Sequence, residues 1–387
     1  MSAESEGLNQ NSLIKLKEEI QKDVEQNKYD GAVVILARHG EVALREAIGF
    51  SDRDAGKTMN VDDVFCMFSV TKAMTAATVL QRIDKGMIRP NTPISEIIPE
   101  FGIIGKQRVT FAQLLSHTGG MSAAFPALLP EEQGDLDKVV AAACAMPLES
   151  LPGQAVNYSP LMAHAVLAGA VKRLDGDQRA FRDIMAQELF KPLKMNDSSL
   201  GMRPNLTDRF VPVVPRDDSP GLFQLDQLAG LFQLTVLDPE KKAEIPAGGA
   251  VSSADDVFRF AEALRNGGDL EGERILSRSI VQLATQVHTG NMPNDLWNFA
   301  VEMRGWPVFP ANLGLGFFLR GKGIYPTYFG TMASPGTFGA MGAGTTLFWV
   351  DPERNMTFVC LTAGILEETN SCDRFQRLSD LAIAAAL

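Results

Sequence analysis

The chain has 387 residues, of which 45% are apolar and 21% are charged, and its formal net charge is -11. This length and composition are typical of a folded protein with one large unit or two packed lobes, and they exclude a chain that is disordered throughout. The acidic balance argues against a nucleic-acid partner, because such binding depends on clustered Lys and Arg.

The first six residues contain neither a basic region nor an apolar stretch. We therefore expect no secretory signal and a cytoplasmic location, although a signal removed by maturation or cloning would leave no trace. The longest apolar runs, such as 32–37, have the length of a strand and are far shorter than the roughly 20 residues of a membrane helix. We expect no membrane span.

The first quarter of the chain predicts a helix, a hairpin and a second helix. Apolar residues recur at helical spacing among charges within 9–27, which predicts an amphipathic helix. The β-rich runs 31–38 and 41–49 are joined by two residues, which is typical of a hairpin. Residues 70–85 are rich in helix formers and are followed by Gly86, a common C-terminal stop.

Helical patterns dominate the middle of the chain, over about 134–146, 160–174, 178–189 and 254–265 and from about 277 onward. Strands return at 344–350 and 356–362, and a last helix begins near Cys372. Because strands lie at both ends with helices between them, we predict an α+β fold, with an antiparallel sheet built from both chain ends and flanked by helices. The chain is then a single unit with a sheet lobe at about 1–70 and 245–387 and a mostly helical lobe at about 71–244.

The cysteines and histidines show no metal-binding spacing. We expect buried free thiols at four separated positions, Cys66, Cys144, Cys360 and Cys372. The four histidines form neither HExxH nor another compact cluster, so we expect no metal site and no cofactor.

The segment 65–74 contains the most informative pair of residues. Ser69 and Lys72 stand at positions i and i+3 of the predicted helix, so the hydroxyl and the amine share one face. A serine hydroxyl needs a neighbouring base to become a nucleophile, and the positive end of a helix helps to stabilise an oxyanion. The alternative is a capping serine beside a lysine whose amine reaches solvent.

Ser12 and Lys15 repeat this spacing and provide an internal comparison. They lie on a polar amphipathic helix, where we predict no chemistry. Lys72 instead lies among apolar residues, where burial of a charged amine is costly unless it serves a purpose. The surroundings therefore favour Ser69 as the nucleophile more than the spacing does.

Two further segments can complete a site. The loop PGQAVNYSP at 152–160 contains Tyr158, whose phenol can pass protons if a nearby ammonium lowers its pKa; the alternative is a packed loop aromatic. The segment PGTFGAMGAGT at 335–345 runs into a strand and can direct a backbone N–H at an oxyanion. Its alternative is a glycine-rich turn with close backbone packing.

Together these segments resemble the serine β-lactamase-like superfamily, which includes class C β-lactamases, DD-peptidases and family VIII carboxylesterases. The resemblance extends from about residue 31 to 362. It includes, in the order and spacing of the family, SVTK at 69–72, TFAQLLSHTGGM at 110–121, the tyrosine loop, LGLGF at 313–317 and FWVDPE at 348–353. It implies a β-lactamase/transpeptidase-like fold.

The resemblance also implies roles for single residues. Ser69 corresponds to the family nucleophile, Lys72 to its activating amine and Tyr158 to the shared acid/base. The backbone N–H groups of Ser69 and Ala343 correspond to the oxyanion hole. His117 lies in a family loop without a chemical role that we can assign, and we interpret it as structural.

The expected substrate-binding positions depart from the penicillin-recognising members. Pro160 stands where those members usually have the asparagine of Tyr-x-Asn, so it offers no side-chain amide. Ala340, Met341 and Gly342 stand where the family usually has Lys, His or Trp followed by small residues. These departures disfavour recognition of a β-lactam carboxylate, and the Ala340-Met341 pair suggests a pocket for an apolar acyl or alcohol group.

The sequence thus predicts a metal-independent serine hydrolase that cleaves a small to medium ester through a Ser69 acyl-enzyme. An amidase, a peptidase, a β-lactamase or a transacylase with the same mechanism stays open, as does a catalytically silent relative that serves binding or assembly. The expected partner is a small-molecule ester or amide. The oligomeric state cannot be predicted from the sequence.

Overall fold

The computed structural model describes residues 7–219, 221–222 and 224–387. The first six residues, on which the expected lack of a secretory signal rests, lie outside the described residues. The helices are α1 (Gln10–Glu25), α2 (Val70–Asp84), α3 (Phe111–Leu115), α4 (Leu136–Ala145), α5 (Met162–Leu174), α6 (Phe181–Met185), α7 (Leu225–Leu234), α8 (Ala254–Arg265), α9 (Arg278–Ala284), α10 (Asn298–Arg304) and α11 (Glu368–Ile383). The strands are β1 (Gly31–Arg38), β2 (Glu41–Asp52), β3 (Lys57–Thr58), β4 (Val64–Cys66), β5 (Ser199–Leu200), β6 (Ala250–Ser253), β7 (Asp269–Leu270), β8 (Glu273–Arg274), β9 (Phe318–Leu319), β10 (Phe338–Gly342), β11 (Thr346–Asp351) and β12 (Met356–Ala363).

A seven-stranded antiparallel sheet has the strand order β3-β2-β1-β12-β11-β10-β9. The N-terminal strand β1 pairs with the C-terminal strand β12, in a register that runs from Gly31 opposite Ala363 to Arg38 opposite Met356. The fold class predicted from the sequence, with a sheet built from both ends of the chain, is therefore confirmed.

Helices cover both faces of this sheet, which explains why β1 is apolar almost throughout. Val33 and Ile35 point into a core shared with α2 and α8. Val34 and Leu36 point to the other face and pack with α1 and α11. The helix α2 thus lies directly against the sheet, where it also contacts β10.

A second, three-stranded sheet has the order β4-β6-β5 and lies at the start of α2. Strand β4 pairs with β6, with Cys66 opposite Val251. The Met67 N–H donates to the Ala250 carbonyl at 2.8 Å, so the pairing continues to the last residues before the helix. This small sheet was not predicted, because its strands have only two to four residues in sequence and gain their order from contacts between distant segments.

Three other elements differ from the sequence-based prediction. The helix α6 ends at Met185 and continues as a π-helical turn over Ala186–Phe190. The helix α11 begins at Glu368, because the Glu367 side chain accepts hydrogen bonds from the first backbone N–H groups of that helix. The glycine-rich segment contains strand β10, whose Gly339 lets the backbone approach β11; an added Cβ would collide with the Phe348 carbonyl.

The four cysteines are buried and free, which confirms the expectation for them. Across residues 7–219, 221–222 and 224–387, no helix combines the length and the apolar character that crossing a bilayer requires.

Candidate active site

The turn between β4 and α2 places Ser69 at the N-terminus of α2. Phe68 has φ +44°, a left-handed conformation that is costly for a bulky residue. Ser69 follows in a helical conformation, and its half-buried side chain caps no backbone N–H in the described part of the helix. The hydroxyl is therefore left for another use, and the interpretation of Ser69 as a capping residue is excluded.

The amine of Lys72 is buried and surrounded by oxygen atoms. Its Nζ lies 3.1 Å from Ser69 Oγ, 2.9 Å from the Pro160 carbonyl oxygen and 2.8 Å from the Ala247 carbonyl oxygen. The residue is 4% exposed, so its amine does not extend into solvent. Burial lowers the pKa of Lys72 to about 7, because desolvation disfavours the ammonium form.

Ser12 and Lys15 have the opposite surroundings despite the same spacing. Lys15 is exposed, and Ser12 Oγ lies 3.4 Å from Oδ1 of Asn9, the residue that caps α1. Lys15 therefore lacks the enclosed surroundings of Lys72, and the hydroxyl of Ser12 lies beside a helix cap.

Tyr158 is 5% exposed and lies against both Ser69 and Lys72. The Lys72 Nζ is 5.0 Å from the centre of the tyrosine ring. Burial raises the pKa of Tyr158 above its usual value, and a hydrogen bond with Ser69 acts in the opposite direction with a smaller effect. A tyrosine pKa lowered by a neighbouring ammonium, which the sequence leaves open as one case, is therefore not found. The lowered pKa of Lys72 and the raised pKa of Tyr158 both favour a neutral amine beside a neutral phenol.

His117 holds the tyrosine loop in place. Its ring stacks on the Tyr158 ring, with centroids 4.5 Å apart. Its Nδ1 accepts a hydrogen bond from the Ser159 N–H at 3.1 Å, and its carbonyl accepts one from the Asn157 N–H at 3.0 Å. Burial and the charge of Lys72 lower the pKa of His117 to about 3, so the ring stays a neutral acceptor. This contact could not be predicted from the sequence, where only the matching loop pointed to His117.

Ala343 lies in the turn between β10 and β11, and it lines the same small cavity as Ser69. Thr346 Oγ1 donates to the Met67 carbonyl at 2.9 Å, which ties this turn to the residues before Ser69. Gly342 permits the approach, because an added Cβ would collide with the Met67 carbonyl. Within the described part of the chain, the N–H groups of Ser69 and Ala343 donate no hydrogen bond, so both can bind an oxyanion.

The cavity beside Ser69 has apolar walls and a volume of about 30 Å³. The side chains that form these walls are Phe68, Phe125, Leu161, Leu228 and Phe232. None of the described residues that line the cavity has a charged side chain. Within the described ranges, no three His, Cys, Asp or Glu side chains are grouped so that they could hold a metal ion.

The four residues expected to bind substrate have different surroundings in the structure. Pro160 lines the cavity and its carbonyl accepts a hydrogen bond from Lys72. Gly342 contacts the turn before Ser69. Ala340 is buried in the core between the sheet and α2, and Met341 packs with the core on the other face of the sheet. The structure thus brings Pro160 to the cavity and places the side chains of Ala340 and Met341 outside its lining.

Comparisons with known proteins extend over nearly the whole chain. A sequence model of the family described as Beta-lactamase matches residues 16–381. Esterase/beta-lactamase LipL of Mycobacterium tuberculosis (strain ATCC 25618 / H37Rv) is 27% identical over 353 residues, which are 86% of this chain and 76% of LipL. Esterase EstB of Burkholderia gladioli is 31% identical over 268 residues, which are 61% of this chain and 65% of EstB. The crystal structure of a family VIII carboxylesterase matches with a TM-score of 0.77 and 22% identity, over 98% of this chain and 99% of the other.

We expect the rate at which a fluorophosphonate labels Ser69 to rise with pH and to level off above about pH 7. Below the pKa of Lys72, which is about 7, the amine is protonated and cannot accept the serine proton; above it, the neutral amine can. Labelling rates measured across this pH range test the expectation, with Lys72→Ala as the control that should lose the inflection. An inflection near pH 10 in the wild-type protein would contradict a neutral Lys72.

We also expect Lys72→Ala and Tyr158→Phe each to lower the rate of acylation by an alkyl ester at least about a hundredfold, as for other positioned acid/base groups. The double mutant should lose far less than the product of the two factors, because the residues act as a unit. Tyr158→Phe keeps the ring that stacks on His117 and removes only the hydroxyl. A folded Tyr158→Phe protein that an alkyl ester acylates at the wild-type rate would exclude Tyr158 from proton transfer.

Proposed function

Because this chain belongs to the Beta-lactamase family, we propose that it is a serine esterase that cleaves a small, uncharged ester through an acyl-enzyme on Ser69. The observation that carries the proposal is a nucleophile with a buried amine at 3.1 Å that opens into an apolar cavity without a charged side chain among its described residues. LipL and EstB are both named as esterases, which supports an ester as the substrate.

The proposed reaction begins with Lys72 as a neutral amine. Such an amine has two N–H donors and one lone pair. The donors are used by the carbonyl groups of Pro160 and Ala247, which leaves the lone pair for the hydroxyl of Ser69. Lys72 therefore accepts the proton as Ser69 Oγ forms its bond to the ester carbonyl carbon.

Negative charge then develops on the former carbonyl oxygen. The N–H groups of Ser69 and Ala343 bind this oxygen, and the positive end of α2 adds to the stabilisation. The C–O bond to the alcohol breaks, and the neutral Tyr158 phenol gives its proton to the leaving oxygen. Lys72 returns a proton to Tyr158, so both groups regain their starting form.

Water completes the cycle through the same groups. It attacks the acyl-enzyme carbonyl while its proton passes to Lys72, and Ser69 recovers its proton as the carboxylic acid leaves. In this scheme Tyr158 acts only as a neutral acid or as a relay, which is consistent with its raised pKa.

A second activity, β-lactam hydrolysis, is suggested by the name of LipL, an esterase/beta-lactamase. The uncharged cavity disfavours it, because the carboxylate of a β-lactam has no cation to pair with among the described lining residues. The amidase, peptidase and transacylase alternatives share the acyl-enzyme and differ only in the leaving group or acceptor. A cytoplasmic location stays a prediction from the sequence.

We expect Ser69→Ala to abolish covalent labelling by a fluorophosphonate and to leave folding intact, because Ser69 is the proposed nucleophile. Mass spectrometry of digested protein should map the wild-type adduct to Ser69. Ser12→Ala is the matched control and should be labelled normally. The absence of any adduct on wild-type protein at high probe concentration would favour a catalytically silent binding protein.

We expect turnover of short-chain nitrophenyl esters and weak or absent turnover of a chromogenic cephalosporin by one enzyme preparation. The physical reason is the apolar lining beside Ser69, which offers contacts to a short acyl group, whereas none of its described residues offers a cation to a carboxylate. Initial rates with both substrates provide the comparison. Efficient cephalosporin hydrolysis without ester turnover would reverse the assignment.

A further inference from the structure

Arg374 is a buried guanidinium that the proposed mechanism does not use. It lies in α11 and is 4% exposed. Its Nε and Nη1 have no hydrogen-bond partner among the described residues. Its carbon Cζ lies 4.9 Å from the ring centre of Tyr29 and 4.3 Å from that of Phe375. Burial of a cation with so few polar partners is costly, so its remaining contact is of interest.

That contact reaches the turn which contains the candidate oxyanion donor. Arg374 Nη2 donates to the carbonyl of Gly344 at 2.7 Å, and Gly344 directly follows Ala343. Gly344 has φ +65°, and an added Cβ would collide with the Leu366 carbonyl, so the turn is pressed against the chain beside it. The same carbonyl accepts a longer bond of 3.4 Å from the Leu366 N–H.

The later residues of this turn are held by other contacts. The Thr345 carbonyl accepts hydrogen bonds from the N–H and from Oγ1 of Thr362, each at 2.8 Å. Thr346 Oγ1 binds the Met67 carbonyl. The Gly344 carbonyl depends instead on Arg374, because its bond from the Leu366 N–H is at the limit of hydrogen-bond length. The N–H of the same peptide, that of Thr345, donates to the Gly342 carbonyl at 3.0 Å and closes the turn around Ala343.

We propose that Arg374 is a positioning residue for the oxyanion hole. Its guanidinium holds the Gly344 carbonyl and thereby directs the Ala343 N–H at the acyl oxygen bound to Ser69. The inference rests on the proposed function, and Arg374 itself does not touch the substrate. A misdirected donor weakens binding of the transition state more than binding of the neutral ester, so kcat falls while KM is little changed.

The test compares Arg374→Met with Arg377→Met. Methionine keeps much of the length of arginine and removes every donor. Arg377 lies on the same helix, but its ion pairs are with Glu19 and Asp23, so it serves as the matched control. We expect Arg374→Met to lower kcat for a nitrophenyl ester at least about tenfold, approaching the hundredfold loss that follows removal of an oxyanion donor. Arg377→Met should keep the wild-type kcat.

Two readouts separate positioning from general damage. A boronic acid forms a tetrahedral adduct on serine, and its affinity for Arg374→Met should fall by about the same factor as kcat. The pH inflection of Ser69 labelling should stay near 7, because Lys72 is not disturbed. Arg374→Lys, which keeps a cationic donor, should restore part of kcat.

Wild-type kcat and boronate affinity in folded Arg374→Met would overturn the proposal, as would losses that Arg377→Met shares. If Arg374→Met does not fold, Arg374→Gln replaces it, because glutamine is polar but too short to reach the Gly344 carbonyl. Wild-type kcat and boronate affinity in that variant would overturn the proposal in the same way. Failure of the wild-type protein to form an adduct on Ser69 would instead count against the proposed function.

Discussion

The site depends on the buried amine of Lys72. One nitrogen binds the carbonyl groups of Pro160 and Ala247, which lie 88 and 175 residues further along the chain, and so joins α2 to two other segments. The same burial that joins these segments also lowers the pKa of Lys72 to about 7. Assembly of the site and the lowering of the Lys72 pKa therefore have the same physical cause, because a lysine that reached solvent would make neither of these contacts and would keep its hydration.

The sheet supplies the second half of the site. Because β1 and β12 pair, the C-terminal hairpin β10–β11 is brought beside the N-terminal helix α2. Glycine then allows the close contact: Gly339 lies against the Phe348 carbonyl, and Gly342 lies against the Met67 carbonyl. A side chain at Gly342 would push the turn of Ala343 away from the residues before Ser69, and one at Gly339 would push β10 away from β11. Strand β10 therefore contains glycine at the two positions where its backbone lies close to another backbone segment.

The contact between Ser69 and Lys72 and the fold class could be predicted from the sequence, whereas the electrostatics could not. Apolar neighbours distinguished Lys72 from Lys15, because burial follows from local composition. Whether the pKa of Tyr158 is raised or lowered depends on how completely the folded chain excludes water and on the ionisation of Lys72. Neither can be read from the spacing of residues in the sequence. Strand β10 was missed because its glycines have low strand propensity. The role of His117 depends on a contact with Ser159 across 42 residues.

The distribution of charge indicates how the site can discriminate between a neutral ester and its transition state. At rest the phenol of Tyr158 and the ring of His117 are neutral, and no described residue lining the cavity is charged. In the proposed reaction two charges appear together, an ammonium at Lys72 and an oxyanion near Ala343. The groups proposed to meet these charges are already present: the Pro160 and Ala247 carbonyl groups accept from Lys72, and the N–H groups of Ser69 and Ala343 donate no hydrogen bond within the described residues. Since these dipoles interact weakly with a neutral ester and strongly with the separated charges, they lower the barrier more than they strengthen substrate binding. A permanent cation in the cavity would instead favour anionic ground states, which is why the absence of charge from its described lining supports esters as the substrates.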